Sequence, residues 1–197
     1  MDPIWVIVAA PPLLAGAIIT GLPLYALPAA RSLARGRRSG IEELTLEEAA
    51  TRLRSSGETG RDLVEAAREL VANRMEYCRR NGFDSPARAF ERGYGFCTQQ
   101  AYALADLLRR LGIEAKVVHS FRNEFPDGTV GGHSWVRATV EGEVLEVDPV
   151  CFDDETGEAT FTSLSRVRDH TPLFKRVTSW GEAALNAHRY YRTGKDM

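Results

Sequence analysis

Cys97, His133 and Asp148 are the residues of this chain whose types and settings could do covalent chemistry. Cys97 stands in RGYGFCTQQ (92–100), directly after two glycines and two aromatics, where a helical pattern begins. A thiol attacks only as thiolate, and a helix N-terminus or a neighbouring imidazolium favours that form. The same helix start leaves backbone N–H groups unbonded, so an oxyanion could be held beside the sulfur. Tyr94 and Gln99 are candidate side chains for that task, with core packing or solvent exposure as the plainer readings. Such a nucleophile needs a base, and the base needs a third group to orient it. His133 in GGHSWV and Asp148 in LEVDP are the candidates, and Trp135 is either a wall of the cleft or plain core.

The elements that must position these residues are written in the periodicity. Thr45-Leu-Glu-Glu-Ala opens a helix, with Thr45 as cap and Glu48 three residues on, and Gly57 to Gly60 breaks it. From Arg61 to Arg80, apolar residues at 63, 64, 67, 70, 71 and 75 keep one helical face, which puts Cys78 in a helix as a buried hydrophobe. The stretch NGFDSPARAFERGYG (81–95) is full of turn residues and reads as a loop. From Cys97 the pattern is helical again, with Ala101, Leu104, Ala105, Leu108 and Leu111 on one face, and Gly112 stops it. Three β-like runs follow, 115–121, 133–140 and 143–147, then an acidic CFDDETGE loop and an amphipathic tail. Helices followed by antiparallel strands imply an α+β class, with the helix that bears Cys97 packed on the sheet.

The last two runs flank Glu141-Gly142. If those two residues close a hairpin, Val140 faces Glu143, Ala138 faces Leu145 and Val136 faces Val147. The opposite side then pairs Thr139 with Val144, Arg137 with Glu146 and Trp135 with Asp148. An opposite-charge pair emerges from this register, which supports it. His133 and Asp148 become diagonal neighbours on one face, about 7 Å apart at the backbone and within side-chain reach. A slip of one residue would separate them.

With these residues in order, GFCTQQAYALADLLRRLGIEAKVV, then GHSWV, then EVLEVDP, the region 67–150 resembles the transglutaminase-like superfamily of papain-type cysteine enzymes. The resemblance rests on a cysteine opening a helix, a histidine with a tryptophan two residues on, and an aspartate before a proline. It implies a papain-like α+β core and acyl transfer through a thioester, with Cys97 as nucleophile, His133 as base and acid, and Asp148 as orienter. Hydrolysis of an amide or peptide bond in a protein or peptide substrate is the expected reaction. Transfer of the acyl group to an amine, forming isopeptide crosslinks, is the second, and a silent interaction domain of the same fold is the third.

Composition bounds the rest. The net charge is −2, with 25 basic residues scattered among 27 acidic ones, so no nucleic-acid partner is expected. Three cysteines cannot all pair within the chain, which speaks against a disulfide framework, and Cys151 reads as structural. A Cys₂His₂ set could be written from Cys97, His119, His133 and Cys151. No CxxC or HxxxH pair anchors it, so neither a metal nor a cofactor is expected.

Residues 3–30 carry no charge, and Ile4–Leu24 is long enough to cross a membrane. Arg31, Arg35, Arg37 and Arg38 follow at once, which would place the main domain on the cytoplasmic side of a single-pass anchor. The expected organisation is a hydrophobic segment (1–30), a polar linker (31–40) and one domain (41–197).

Overall fold

The computed structural model describes residues 34–153 and 156–194, so the expected span at 4–24 lies outside the described residues. Among the described residues no helix is long and apolar enough to cross a membrane. The described part of the expected linker is docked on the domain. The Arg35 backbone N–H donates to Asn81 Oδ1 at 3.0 Å, and the Arg38 N–H donates to the Arg92 carbonyl at 2.8 Å.

Helix α1 (Leu46–Ser56) opens on the capping box foreseen in the sequence. Thr45 Oγ1 accepts from the Glu48 N–H, and Glu48 Oε2 accepts from the Thr45 N–H at 2.7 Å. Helix α2 (Gly60–Arg74) stops six residues before Arg80. Its backbone is taken up by a short parallel pairing of β1 (Glu76–Tyr77) with β2 (Tyr94–Gly95), in which Cys78 N–H donates to the Gly95 carbonyl at 3.1 Å. Cys78 is therefore buried, as expected, but lies beyond the helix.

The stretch read as a loop contains helix α3 (Pro86–Arg92). Ser85 caps it by accepting from the Arg88 N–H, Pro86 fills its first turn, and Gly93 ends it in the left-handed region at φ +76°. Serine before proline is a helix-start signal as well as a turn signal, and here the helix prevails.

Helix α4 (Cys97–Arg110) is the axis of the fold. It touches α1, α2 and α3 on one side, and on the other it meets β3 (Glu114–Glu124) and β4 (Val130–Val140). Leu104, Leu107 and Leu108 are fully buried at this junction, each contributing about 1.5–3 kcal/mol over its exposed state. The sheet is antiparallel, in the order β5 (Glu143–Val147), β4, β3, β6 (Thr162–Ser163), with β7 (Arg168–Asp169) pairing another stretch of β3. Helix α5 (Pro172–Thr193) completes the described chain. The class is α+β, as the order of elements implies.

Candidate active site

The site begins with how α4 is started. Its N-cap is Phe96, which has no side-chain acceptor to offer, and Gln99 compensates from inside the first turn. Gln99 Oε1 accepts from the Phe96 N–H at 3.2 Å, while Nε2 donates to the carbonyls of Asn81 (2.8 Å) and Asp84 (2.9 Å). Gln100 Nε2 donates to the Gly95 carbonyl at 2.8 Å. These bonds clamp the residues before Cys97 in place. Gly95 serves closeness of approach, because a Cβ there would stand 2.7 Å from Met75 Cε and 3.2 Å from Gln99 Cβ. Cys97 itself is half-buried in the first helical turn, where backbone N–H groups have no intrahelical acceptor.

His133 and Asp148 are brought together by the β4–β5 hairpin. Its register pairs Val140 with Glu143, Thr139 with Val144, Ala138 with Leu145, Arg137 with Glu146 and Val136 with Val147. Glu141 (φ +52°) and Gly142 (φ +84°) form the two-residue turn, both left-handed, the geometry that matches the twist of a tight hairpin. Arg137 Nε donates to Glu146 Oε1 at 2.8 Å, so the opposite-charge pair read from the sequence is made. Directly after β5, the Asp148 carboxylate is fully buried and lies 2.6 Å from His133 Nε2.

That carboxylate is fixed independently of the histidine. Its Oδ1 accepts from the Val150 N–H at 3.0 Å, and its Oδ2 accepts from the Cys151 N–H at 3.2 Å as well as meeting His133. Cys97 lines the same cleft as His133, close enough to bear on the charge of the ring. With Nε2 on Asp148, the nitrogen left for sulfur is Nδ1. Burial disfavours the charged ring, but the bond to Asp148 and the nearby Cys97 outweigh it and raise the His133 pKa to about 10. Asp148 thus favours the protonated form of the ring. Burial, then the Asp148 carboxylate, pushes the Cys151 thiol up to about 12.

Aromatic rings set the orientation of the imidazole. Trp135 lies nearly parallel to it at 6.1 Å, and Phe161 and Phe125 meet it edge-on at 4.9 and 5.6 Å. Phe125 and Phe161 come from loops whose spacing carried no signal. Asn123 shapes the same corner: it is fully buried, and its Nδ2 donates to the Ser120 and Gly131 carbonyls where β3 bulges opposite the start of β4.

A cleft of about 250 Å³ opens on Cys97 and His133. Its walls include Tyr77, Arg79, His119, Phe121, Phe174 and Glu182. His119 stacks on Phe174 at 4.2 Å, and burial lowers its pKa. The Tyr77 hydroxyl accepts from Arg79 Nε (3.3 Å) and Nη2 (3.2 Å). With its lone pairs so engaged, the Tyr77 O–H is the part left to donate. A larger depression of about 510 Å³, between Arg61, Glu65, β5 and residues 156–159, is lined by neither cysteine nor histidine.

The six residues singled out in the sequence therefore part company. His133 and Asp148 are bonded to each other, and Cys97 faces the same cleft as His133. Trp135 packs against the histidine and donates its indole N–H to Glu146, outside the cleft wall. Gln99 is no oxyanion donor in this geometry, because both amide hydrogens go to backbone carbonyls. Tyr94 lies under the Arg35 guanidinium at 5.1 Å, and its strand partner region supplies Tyr77 to the cleft instead. Tyr77 was missed because nothing in ANRMEYCRR marks it except the later pairing of β1 with β2.

Residues 47–149, just over half of the chain, match the model of the transglutaminase-like superfamily. Among curated proteins none matches. Two solved structures resemble the chain: an inferred cysteine protease of Cytophaga hutchinsonii (TM-score 0.45, 17% identity, covering 64% of this chain and 48% of that one) and an inferred protease of Parabacteroides distasonis (TM-score 0.42, 16% identity, 63% and 25%). The chain thus spans about half the length of the first and a quarter of the second.

Proposed function

Because this chain belongs to the transglutaminase-like superfamily, we propose that it is a cysteine-dependent acyl-transfer enzyme that hydrolyses an amide or peptide bond through a thioester. The observation that carries the reading is the row Asp148–His133–Cys97, with a 2.6 Å bond at one end and the sulfur at a helix start at the other. In this scheme the Cys97 thiolate attacks the carbonyl carbon and a C–S bond forms. The oxyanion falls to the Cys97 backbone N–H and to the Tyr77 O–H. The C–N bond then breaks as His133 gives its proton to the leaving amine. Water attacks the thioester, His133 takes its proton, the C–S bond breaks, and the acid leaves.

Protein or peptide is the substrate class that a narrow cleft walled by Phe121, Phe174 and His119 favours. Incubation with a proteome digest in H₂¹⁸O tests the reading. An acyl adduct on Cys97 that decays to products carrying ¹⁸O in a new carboxyl is expected. Adducts that resolve only onto an added amine would make the protein a crosslinking enzyme. A Cys97 that takes no acyl group from any peptide would defeat both.

The charge-free run at 4–24 and the arginines after it support a tethered form of this enzyme with its domain in the cytoplasm. A reporter fused after Met197 should resist external protease in intact cells. Its digestion would reverse the orientation, and a fully soluble product would remove the anchor.

A further inference from the structure

The turn after β5 brings a second sulfur beside the His133–Asp148 pair. One ligand atom each from His133, Asp148 and Cys151 lies within 4.8 Å of the others, two of the residues buried and Cys151 half-buried. We propose that these three side chains form a zinc site, and that zinc bound there silences Cys97.

The donor set fits the ion. Imidazole nitrogen, carboxylate oxygen and thiolate sulfur are all zinc ligands, and tetrahedral zinc at its usual bond lengths wants donors roughly 3.5 Å apart. Here Nε2 and Oδ2 are closer, at 2.6 Å, because a proton holds them together, and all three ligand atoms lie within 4.8 Å of one another. Replacing the proton by a metal opens the first distance, with the thiolate of Cys151 already alongside. One thiolate and one carboxylate neutralise the dication, so the buried site gains no net charge.

The scaffold is also in place before any ion arrives. Backbone N–H groups of Val150 and Cys151 hold the carboxylate, and the Arg68 guanidinium lies 3.7 Å over the ring of Phe152, the residue after Cys151. Cys151 is the part that reaches the surface, which gives the ion its way in.

Binding displaces the Nε2 proton of His133 and the thiol proton of Cys151. Zinc on Nε2 takes the place of the bond to Asp148, so the ring loses the partner that orients it toward Cys97. The silencing of turnover rests on the acyl-transfer reading above, while the zinc site does not.

The test uses cobalt(II) and zinc(II) on the full chain carrying Cys78→Ser and Cys97→Ala, whose remaining cysteine is Cys151. Cobalt should bind at one equivalent with a sulfur-to-metal charge-transfer band, and zinc should displace it. Adding His133→Ala should weaken zinc binding on the order of 100-fold or more, since changes one shell further out already cost 10–100-fold. A cobalt complex without the thiolate band, or a band indifferent to His133→Ala, would overturn the site. So would wild-type protein that binds zinc only through Cys97, seen as loss of binding on Cys97→Ala alone. If the site binds but turnover of the wild type is unaffected by zinc, the silencing is wrong and the site stands.

Discussion

Thr98 Oγ1 and Ser134 Oγ are bonded at 3.2 Å in the buried seam between α4 and β4. Each is the immediate neighbour of a reacting residue, Thr98 of Cys97 and Ser134 of His133. This bond therefore ties together the segments that carry the sulfur and the imidazole.

Removing either hydroxyl strands the other in a dry seam, at a cost of about 1–3 kcal/mol. Thr98→Val and Ser134→Ala should each destabilise by that amount and slow alkylation of Cys97. The double variant should recover part of the loss, with a coupling of about 1 kcal/mol in denaturant unfolding. Strict additivity would mean the two hydroxyls do not meet.

The three cysteines should differ in reactivity at pH 6. His133 holds its proton until about pH 10 and faces Cys97, whereas Cys78 is buried and Cys151 is pushed up to about 12. Limited iodoacetamide should mark Cys97 first by peptide mapping. His133→Ala should slow that labelling roughly 10–100-fold, because an ordinary thiol is under ~1% ionised at this pH. Equal labelling of all three would count against the whole row.

Stability should follow the same histidine. Its pKa is raised in the fold from 6.5 to about 10, so below pH 6.5 folded and unfolded chains both carry the proton and its bonds contribute in full. Above 6.5 the unfolded chain releases the proton and the contribution fades, vanishing as pH passes about 10. The unfolding free energy of wild type relative to His133→Asn should fall across that window. A difference that is flat from pH 6 to 10 would refute the assignment.

Tyr77→Phe separates oxyanion stabilisation from nucleophile activation. Losing one such donor typically costs 10²–10³ in turnover, so hydrolysis should drop by about 10²-fold. Alkylation by iodoacetamide builds no oxyanion and should be unchanged. Equal loss in both reactions would reduce Tyr77 to a packing residue.

The part of this site that could be read from the chain was the local part. Parity along β4 and β5 gave His133 and Asp148 a shared face once Glu141-Gly142 was taken as the turn, since a period of two leaves one register compatible with a buried side. Helix α4 was equally plain, because five apolar positions and a terminal glycine agree. Phe125, Phe161 and Tyr77 were not legible, because each reaches the site from a connection whose course depends on tertiary packing. The loop containing α3 failed for another reason: Ser85-Pro86 serves turns and helix starts alike, and only the glycine at φ +76° behind Arg92 decides between them.

The spacing of the row along the chain has a consequence for when the thiol becomes dangerous. His133 and Asp148 are separated by 15 residues within one hairpin, a structure that closes in about 1–10 μs by itself. Cys97 joins them only when α4 docks on β4, a contact across 36 residues at the Thr98–Ser134 seam. A nascent or partly opened chain thus carries its base and acid without a nucleophile in reach. Reactivity requires that docking and is lost wherever the seam opens, so the fold acts as its own safety catch.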